Sequence, residues 1–213
     1  MKLYTSLDAY GGYPFNIQWP DVKPVYLPSD LEKEPGILVL WGGEDISPSI
    51  YGEKVSRYTG ADDRPSSRDQ LELDLAYKAI ALGYPIIAIC RGAQLMCAVN
   101  GGTVIQHVEN HGRSHAIVTN DKREFVTTSL HHQMMNPFKI EHEMVAWSKK
   151  YLSPCYIGEN NFDIEPRPPV EPEVVYFPQS KTIAIQGHPE FIQSPNNPYV
   201  QYCLELTRKY CGG

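Results

Sequence analysis

Short apolar runs stand along this chain between glycine, proline and acidic residues, most plainly at residues 37–41 and 85–89, and residues 3–7 and 22–27 read as strands before them. Runs of that length without alternation predict strands buried on both faces of a parallel sheet. The longer period appears at residues 68–82, where Leu71, Leu75, Ala79 and Leu82 fall on one stripe behind the potential caps Ser66 and Ser67, predicting a helix. Arg91 and Gly92 are expected to turn the chain into a second helix at 93–100, stopped by Gly101 and Gly102, and 199–209 reads as a C-terminal helix. Residues 116–119 with 124–128, 143–148, and 174–177 with 181–186 read as further strands, the first and last as hairpins. Residues 8–21 lack helical periodicity and are a loop or a shortened crossover. Strands then helix in repeated alternation predict an α/β fold, a three-layer sandwich around a central, mostly parallel sheet. No repeat or low-complexity tract divides the chain, so a single domain spans 1–213, with a proline-rich insertion at about 151–172.

Composition narrows the function classes. The 213 residues are 42% hydrophobic and carry a net charge of −6, which suits a globular domain and opposes a nucleic-acid footprint. No apolar run reaches membrane-spanning length and the first ten residues do not read as a signal peptide, so a cytoplasmic protein without a membrane partner is expected. The 5 cysteines, odd in number and irregular in spacing, fit a reducing compartment.

One of those cysteines changes the picture. Cys90 ends the 85–89 run and precedes a helix, the geometry of a nucleophile elbow; the bland alternative is a core cysteine at a strand end. Gln94 lies four residues on, on the same helical face. Far along the chain a second apolar run ends in Gly187, His188, Pro189 and Glu190. A parallel sheet gathers strand C-termini at one edge, where cysteine, imidazole and an orienting carboxylate can form a nucleophilic triad. The paired glycines after residue 41 are either a plain tight turn or a backbone donor, through Gly43 N–H, to an oxyanion beside Cys90. His107, His111 and His115 recur at intervals of four, but Asn110 and Gly112 break a helical reading, so no metal site is expected.

The motifs ICRGAQ and GHPE together resemble the class I glutamine amidotransferase pattern, Cys-x-Gly-x-Gln followed far along the chain by His-Pro-Glu. GGEDISPSIYGE closely resembles the segment that marks the γ-glutamyl hydrolase branch of that superfamily, peptidase C26, which contains γ-glutamyl-γ-aminobutyrate hydrolase. Residues 102–108 resemble the family's GGT strand, SLHHQ is similar to a stretch that lies beside the substrate in relatives, and Arg68, Asp69 and Glu72 match an Arg-Asp-x-x-Glu of the same branch. The resemblance covers most of residues 36–135 and 182–191. It implies Cys90 as nucleophile, His188 as base, Glu190 as its orienter, and the N–H groups of Gly43 and Arg91 as oxyanion donors. Gln94 with Ser129, Leu130 and His131 would hold the amino-acid end of a small γ-glutamyl substrate; His131 and His132 have structural roles as the alternative reading. Arg68 and Glu72 are expected to pair and hold their helix against the active-site edge. No cofactor is implied. A stand-alone hydrolase, a glutaminase subunit feeding ammonia to a separate synthase partner, and a silent binding module of the same fold are the three functional readings. Gly187 departs from the pattern, since relatives often carry an aromatic residue there, and the crossover after the first strand is abbreviated.

Overall fold

The computed structural model describes residues 1–7 and 10–212; Asp8 and Ala9, which open the expected loop or crossover, lie outside the described residues. In chain order the elements are β1 (Lys2–Ser6), β2 (Val22–Val25), β3 (Gly36–Leu40), α1 (Ser67–Leu82), β4 (Ile86–Ile89), α2 (Arg91–Val99), β5 (Thr103–Ile105), β6 (His107–Val108), β7 (His115–Thr119), β8 (Glu124–Thr127), β9 (Met134–Asn136), β10 (Glu143–Ser148), β11 (Tyr156–Ile157), β12 (Pro172–Phe177), β13 (Thr182–Ile185) and α3 (Pro198–Cys211). Nine strands form one sheet in the order β2-β1-β3-β4-β13-β12-β10-β7-β8. Pairing is parallel from β2 to β13 and antiparallel from β13 to β8. The expected α/β sandwich is therefore present, with the predicted hairpins extending the parallel half of its sheet.

Continuous apolar strands acquire two buried faces because helices lie on both sides. Ile86 and Ala88 of β4 pack in one core with Leu75 and Ala79 of α1 and Ala93 and Met96 of α2. The alternate residues Ile87 and Ile89 pack in the other with Tyr199, Val200 and Cys203 of α3. Each isoleucine so buried contributes about 1.5–3 kcal/mol of transfer free energy. Between β1 and β2 the described chain makes only short 3-10 turns at Tyr10–Gly12 and Phe15–Ile17. Phe15 and Trp19 pack there in the same core as α3, which does the work of a crossover helix.

Helix α1 starts where the serines predict. Ser66 Oγ accepts from Asp69 N–H and Asp69 reaches back to Ser66 N–H at 2.8 Å, a reciprocal cap. Helix α2 starts earlier than expected: Arg91 and Gly92 are its first residues, and the turn is concentrated in Cys90 alone. The expected strand over 102–108 divides into β5 and β6, and the proline-rich insertion contains β11, which pairs with β6. That insertion is further tied by Lys54 N–H to Glu159 Oε2 at 3.3 Å and Arg57 N–H to Asn161 Oδ1 at 2.7 Å.

Gly92 lets α2 sit directly on β3, since a Cβ there would stand 2.6 Å from the Leu40 carbonyl oxygen. Backbone cannot yield as a flexible side chain does. Gly92→Ala is expected to lower stability by about 1–3 kcal/mol, read as a shift in the urea midpoint at constant slope.

Candidate active site

Cys90 is held at φ 48° and ψ −105°, a region that L residues avoid and that costs of order 1–3 kcal/mol. The surrounding backbone enforces it: Cys90 N–H donates to the Ile185 carbonyl at 2.7 Å, and the Cys90 carbonyl accepts from Gln94 N–H at 3.0 Å. The residue thus ends β4 and caps α2 at once. Its side chain is nearly buried, 6% exposed, at the C-terminal edge of the sheet.

β13 delivers the histidine to that edge. A Cβ placed on Gly42 would stand 2.7 Å from His188 Cε1 and 3.4 Å from Cys90 Cβ, so glycine at 42 is what lets thiol and imidazole meet. His188 Nδ1 lies 2.7 Å from Glu190 Oε1. Because a carboxylate accepts, Nδ1 carries the hydrogen and Nε2 is left for chemistry. Burial works against charge on this ring, but hydrogen bonding to Cys90 and to Glu190 outweighs it and pushes His188 up to about 10. The ring stacks on Phe191 at 4.5 Å, and Phe191 meets Tyr10, which meets Trp41, so an aromatic wall borders the site. The departure at Gly187 has a steric cause. A Cβ there would stand 2.0 Å from Thr127 Oγ1 and 2.5 Å from Tyr199 Oη, so β8 and α3 occupy the room a larger residue would need.

The glycine turn after β3 is fixed from α1. Arg68 Nη2 donates to the Gly42 carbonyl at 2.9 Å and to the Trp41 carbonyl at 3.2 Å, while its Nε donates to Glu72 at 3.1 Å. The expected Arg68–Glu72 pair is formed. In a trans peptide the Gly43 N–H points opposite to the Gly42 carbonyl, hence away from Arg68. Gly43 adopts φ 150°, and a Cβ on it would lie 2.1 Å from Arg68 Nη1. Arg91, whose backbone N–H is the other expected donor, sends its buried side chain to Asp69 and Glu72.

The residues expected to hold substrate are placed unequally. Gln94 donates from Nε2 to the Gln133 carbonyl at 3.1 Å and so braces the loop that carries Ser129, Leu130 and His131. That loop begins beside the Thr128 carbonyl, which accepts from His188 N–H at 2.9 Å. Ser129 Oγ donates to the His111 carbonyl, Leu130 is exposed, and His131 is turned into the interior. Burial pushes His131 down to about 3, so it is a neutral ring. His132 instead meets Asp45 at 3.1 Å. Of the three evenly spaced histidines, His107 stacks on Tyr58 at 4.3 Å, whereas His111 and His115 face Glu173.

One contact was not anticipated from sequence. Gln186 Nε2 lies 3.8 Å from Cys90 Sγ, with a sulfur acceptor's long donor distance. Its signal was present: a polar residue, fully buried, ending the apolar run two residues before His188.

A strained cysteine on a strand–helix corner, facing a carboxylate-held histidine at the edge of a parallel sheet, defines the class I glutamine amidotransferase fold. A glutamine amidotransferase from Thermotoga maritima aligns over 89% of this chain and 75% of its own at a TM-score of 0.54 and 16% identity. PurLQS from the same organism aligns over 96% and 97% at 0.60 and 14% identity. Within that class the chain belongs to the peptidase C26 family, whose model matches residues 8–135. It is 31% identical over 118 residues to a glutamine amidotransferase-like protein of Rickettsia prowazekii, covering 55% of this chain and 40% of that protein. It is 30% identical over 103 residues to γ-glutamyl-γ-aminobutyrate hydrolase PuuD of Escherichia coli, covering 48% of this chain and 39% of that one. The chain thus spans well under half the length of the curated relatives it matches. Among the described residues no helix is long and apolar enough to cross a membrane.

The histidine makes a pH prediction. The imidazole is raised from about 6.5 in the unfolded chain to about 10 here. Its contribution to stability is therefore fully present below about 6.5 and is lost as pH rises through the folded value. Imidazole NMR should show His188 titrating far above an ordinary imidazole, and Cys90→Ala should lower that value by removing one of its two partners. An unchanged value in the variant would disprove the coupling.

Proposed function

We propose that this chain is a cysteine hydrolase that cleaves the γ-glutamyl amide bond of glutamine or of a γ-glutamyl amine. The Cys90 sulfur attacks the amide carbonyl, and the N–H groups of Gly43 and Arg91 receive the charge that develops on its oxygen. His188 passes a proton to the departing amine, leaving a glutamyl thioester on Cys90. The same ring then takes a proton from water, which attacks the thioester and releases glutamate with the thiol restored. Glu190 holds Nδ1–H and so keeps Nε2 directed at the reacting atoms. Gln94 and the turn of Ser129, Leu130 and His131 hold the amino-acid end of the substrate. Tyr10 and Phe191, both partly exposed, border His188 where the amine departs.

The observation that carries this reading is the convergence of Cys90, His188 and Glu190 around Gly42. Arg68 adds support for a stand-alone hydrolase over an ammonia donor, because it fixes the Gly42–Gly43 peptide within the isolated chain. An oxyanion turn that needed a synthase to align it would not be clamped from its own first helix.

Cys90→Ala should retain the fold by circular dichroism and lose turnover of γ-glutamyl anilide. His188→Ala should lower kcat by about 10⁶-fold and Glu190→Gln by about 10⁴-fold, since an amide still holds the ring but stabilises imidazolium less. Equal and small losses would point to another base. The purified chain, incubated with glutamine and a panel of γ-glutamyl amides, should release glutamate from at least one of them, as read by mass spectrometry. Turnover that appears only after a synthase is added would put the ammonia-donor function in its place.

A further inference from the structure

Behind the turn that carries Ser129, three histidines converge on one glutamate. His111 precedes β7, His115 begins it, His131 follows the turn, and Glu173 comes from β12. The side chains of His111, His131 and Glu173 are buried to within 1% of complete, and one ligand atom from each lies within 4.8 Å of the others. None of them takes part in the chemistry at Cys90.

The hydrogen positions leave buried polar atoms in this cluster that no group of the chain completes. His131 Nδ1 is 2.8 Å from the Gln133 carbonyl, and His115 Nδ1 is 2.9 Å from the Arg113 carbonyl. Carbonyl oxygens only accept, so both Nδ1 atoms carry hydrogen. Against the effect of burial, the hydrogen bond to Glu173 raises His115, whose Nε2–H donates to Glu173 Oε1 at 2.7 Å, whereas His131 is neutral and sets its Nε2 lone pair 3.9 Å from the same oxygen. His111 adds Nδ1 at 3.4 Å from the same oxygen, while its Nε2 stands 3.2 Å from Glu171 Oε2. The neutral His131 nitrogen thus faces a carboxylate in a dry interior. Both His111 ring nitrogens, His131 Nε2 and Glu173 Oε2 are buried without a hydrogen-bond partner, which is costly unless something else binds them.

We propose that His111, His131 and Glu173 bind a zinc ion, with His115 holding the Glu173 carboxylate from outside by its hydrogen bond. Two ligands about 2.1 Å from zinc at a tetrahedral angle are about 3.4 Å apart, the separation of His111 Nδ1 from Glu173 Oε1. Imidazole and carboxylate donors suit zinc, and His131 keeps an outer partner of the kind that orients zinc-bound histidine, the Gln133 carbonyl, while Glu171 stands 3.2 Å from His111 Nε2. The +2 ion balances Glu171 and Glu173 together. Closed off from solvent, the site is structural, and it clasps the substrate turn at both ends: His131 lies in it, and Ser129 Oγ donates to the His111 carbonyl. The site stands whatever bond the enzyme cleaves.

The test uses the full chain carrying Cys90→Ala, so that zinc cannot be taken by the catalytic thiol. After chelator treatment, titration with zinc alone should show one equivalent bound and raise Tm by at least about 5 °C at saturation. Cobalt(II) should give the intense visible bands of a tetrahedral site. In the same background Glu173→Gln and His111→Asn should abolish both signals. Where either variant does not fold, nitrogen NMR of the Cys90→Ala chain decides: zinc must shift His111 Nδ1 and His131 Nε2. Failure to take up one equivalent, or uptake that leaves those nitrogens unmoved or survives both substitutions, overturns the site.

Discussion

A buried guanidinium organises the catalytic edge. Arg91 directly follows Cys90, is only 1% exposed, and pairs with Asp69 and Glu72, themselves almost wholly buried. Removing one partner from such a cluster costs about 3–5 kcal/mol, because a charge is then left unpaired away from water. Each carboxylate has a second duty. Asp69 closes the reciprocal cap of α1 with Ser66, and Glu72 takes Arg68, which holds the Trp41 and Gly42 carbonyls. Ser6 Oγ of β1 also donates to Glu72, at 3.2 Å. Two cations and two anions thus lock β1, the turn after β3, α1 and the elbow helix into one body.

This lock explains how an unfavourable Cys90 backbone persists. Parallel pairing of β3, β4 and β13 aligns Leu40 with Ala88 and Ile185 with Ile89, which brings the ends of all three strands level. Cys90, the Gly42–Gly43 turn and His188 then need only the few residues beyond each strand. Strain at one corner is offset by the apolar cores on either face and by ion pairs that admit no alternative geometry.

Legibility from sequence followed the range of the interactions. Continuous apolar runs marked β3, β4 and β13 because burial on both faces leaves little room for polar residues, and Ser66 marked α1 because a cap is local. Cys90, His188 and Glu190 were legible as motif and strand-end chemistry, and Arg68 with Glu72 as an i,i+4 pair. The helical state of Arg91 and Gly92 was not, since it depends on the ion pairs of Arg91 and on the bare approach of Gly92 to Leu40. Strands β9 and β11 escaped for a related reason, since each is two or three residues long and exists only through a partner distant in sequence, and β5 and β6 were legible only as one strand. Glu173 was invisible as a buried residue because a carboxylate in a strand reads as solvent-facing. Its burial is tolerable only beside His111 and His115, and the even histidine spacing pointed to a helix rather than to this glutamate.

Gln186 connects the two centres while keeping them apart. Its N–H donates to the Glu173 carbonyl at 2.8 Å, while its side chain reaches Cys90 Sγ at 3.8 Å. Strands β12 and β13, in register at Val174 and Ile185, therefore run between the histidine cluster and the thiol. A zinc ion free to meet Cys90 would bind the sulfur and end its chemistry, whereas one held behind β12 can order the 129–131 turn without touching the nucleophile. The separation costs little, because the backbone hydrogen bonds that maintain it are those of the sheet. The same residue carries any displacement of β12 to the sulfur, so the substrate turn and the thiol are positioned against a shared strand pair rather than independently.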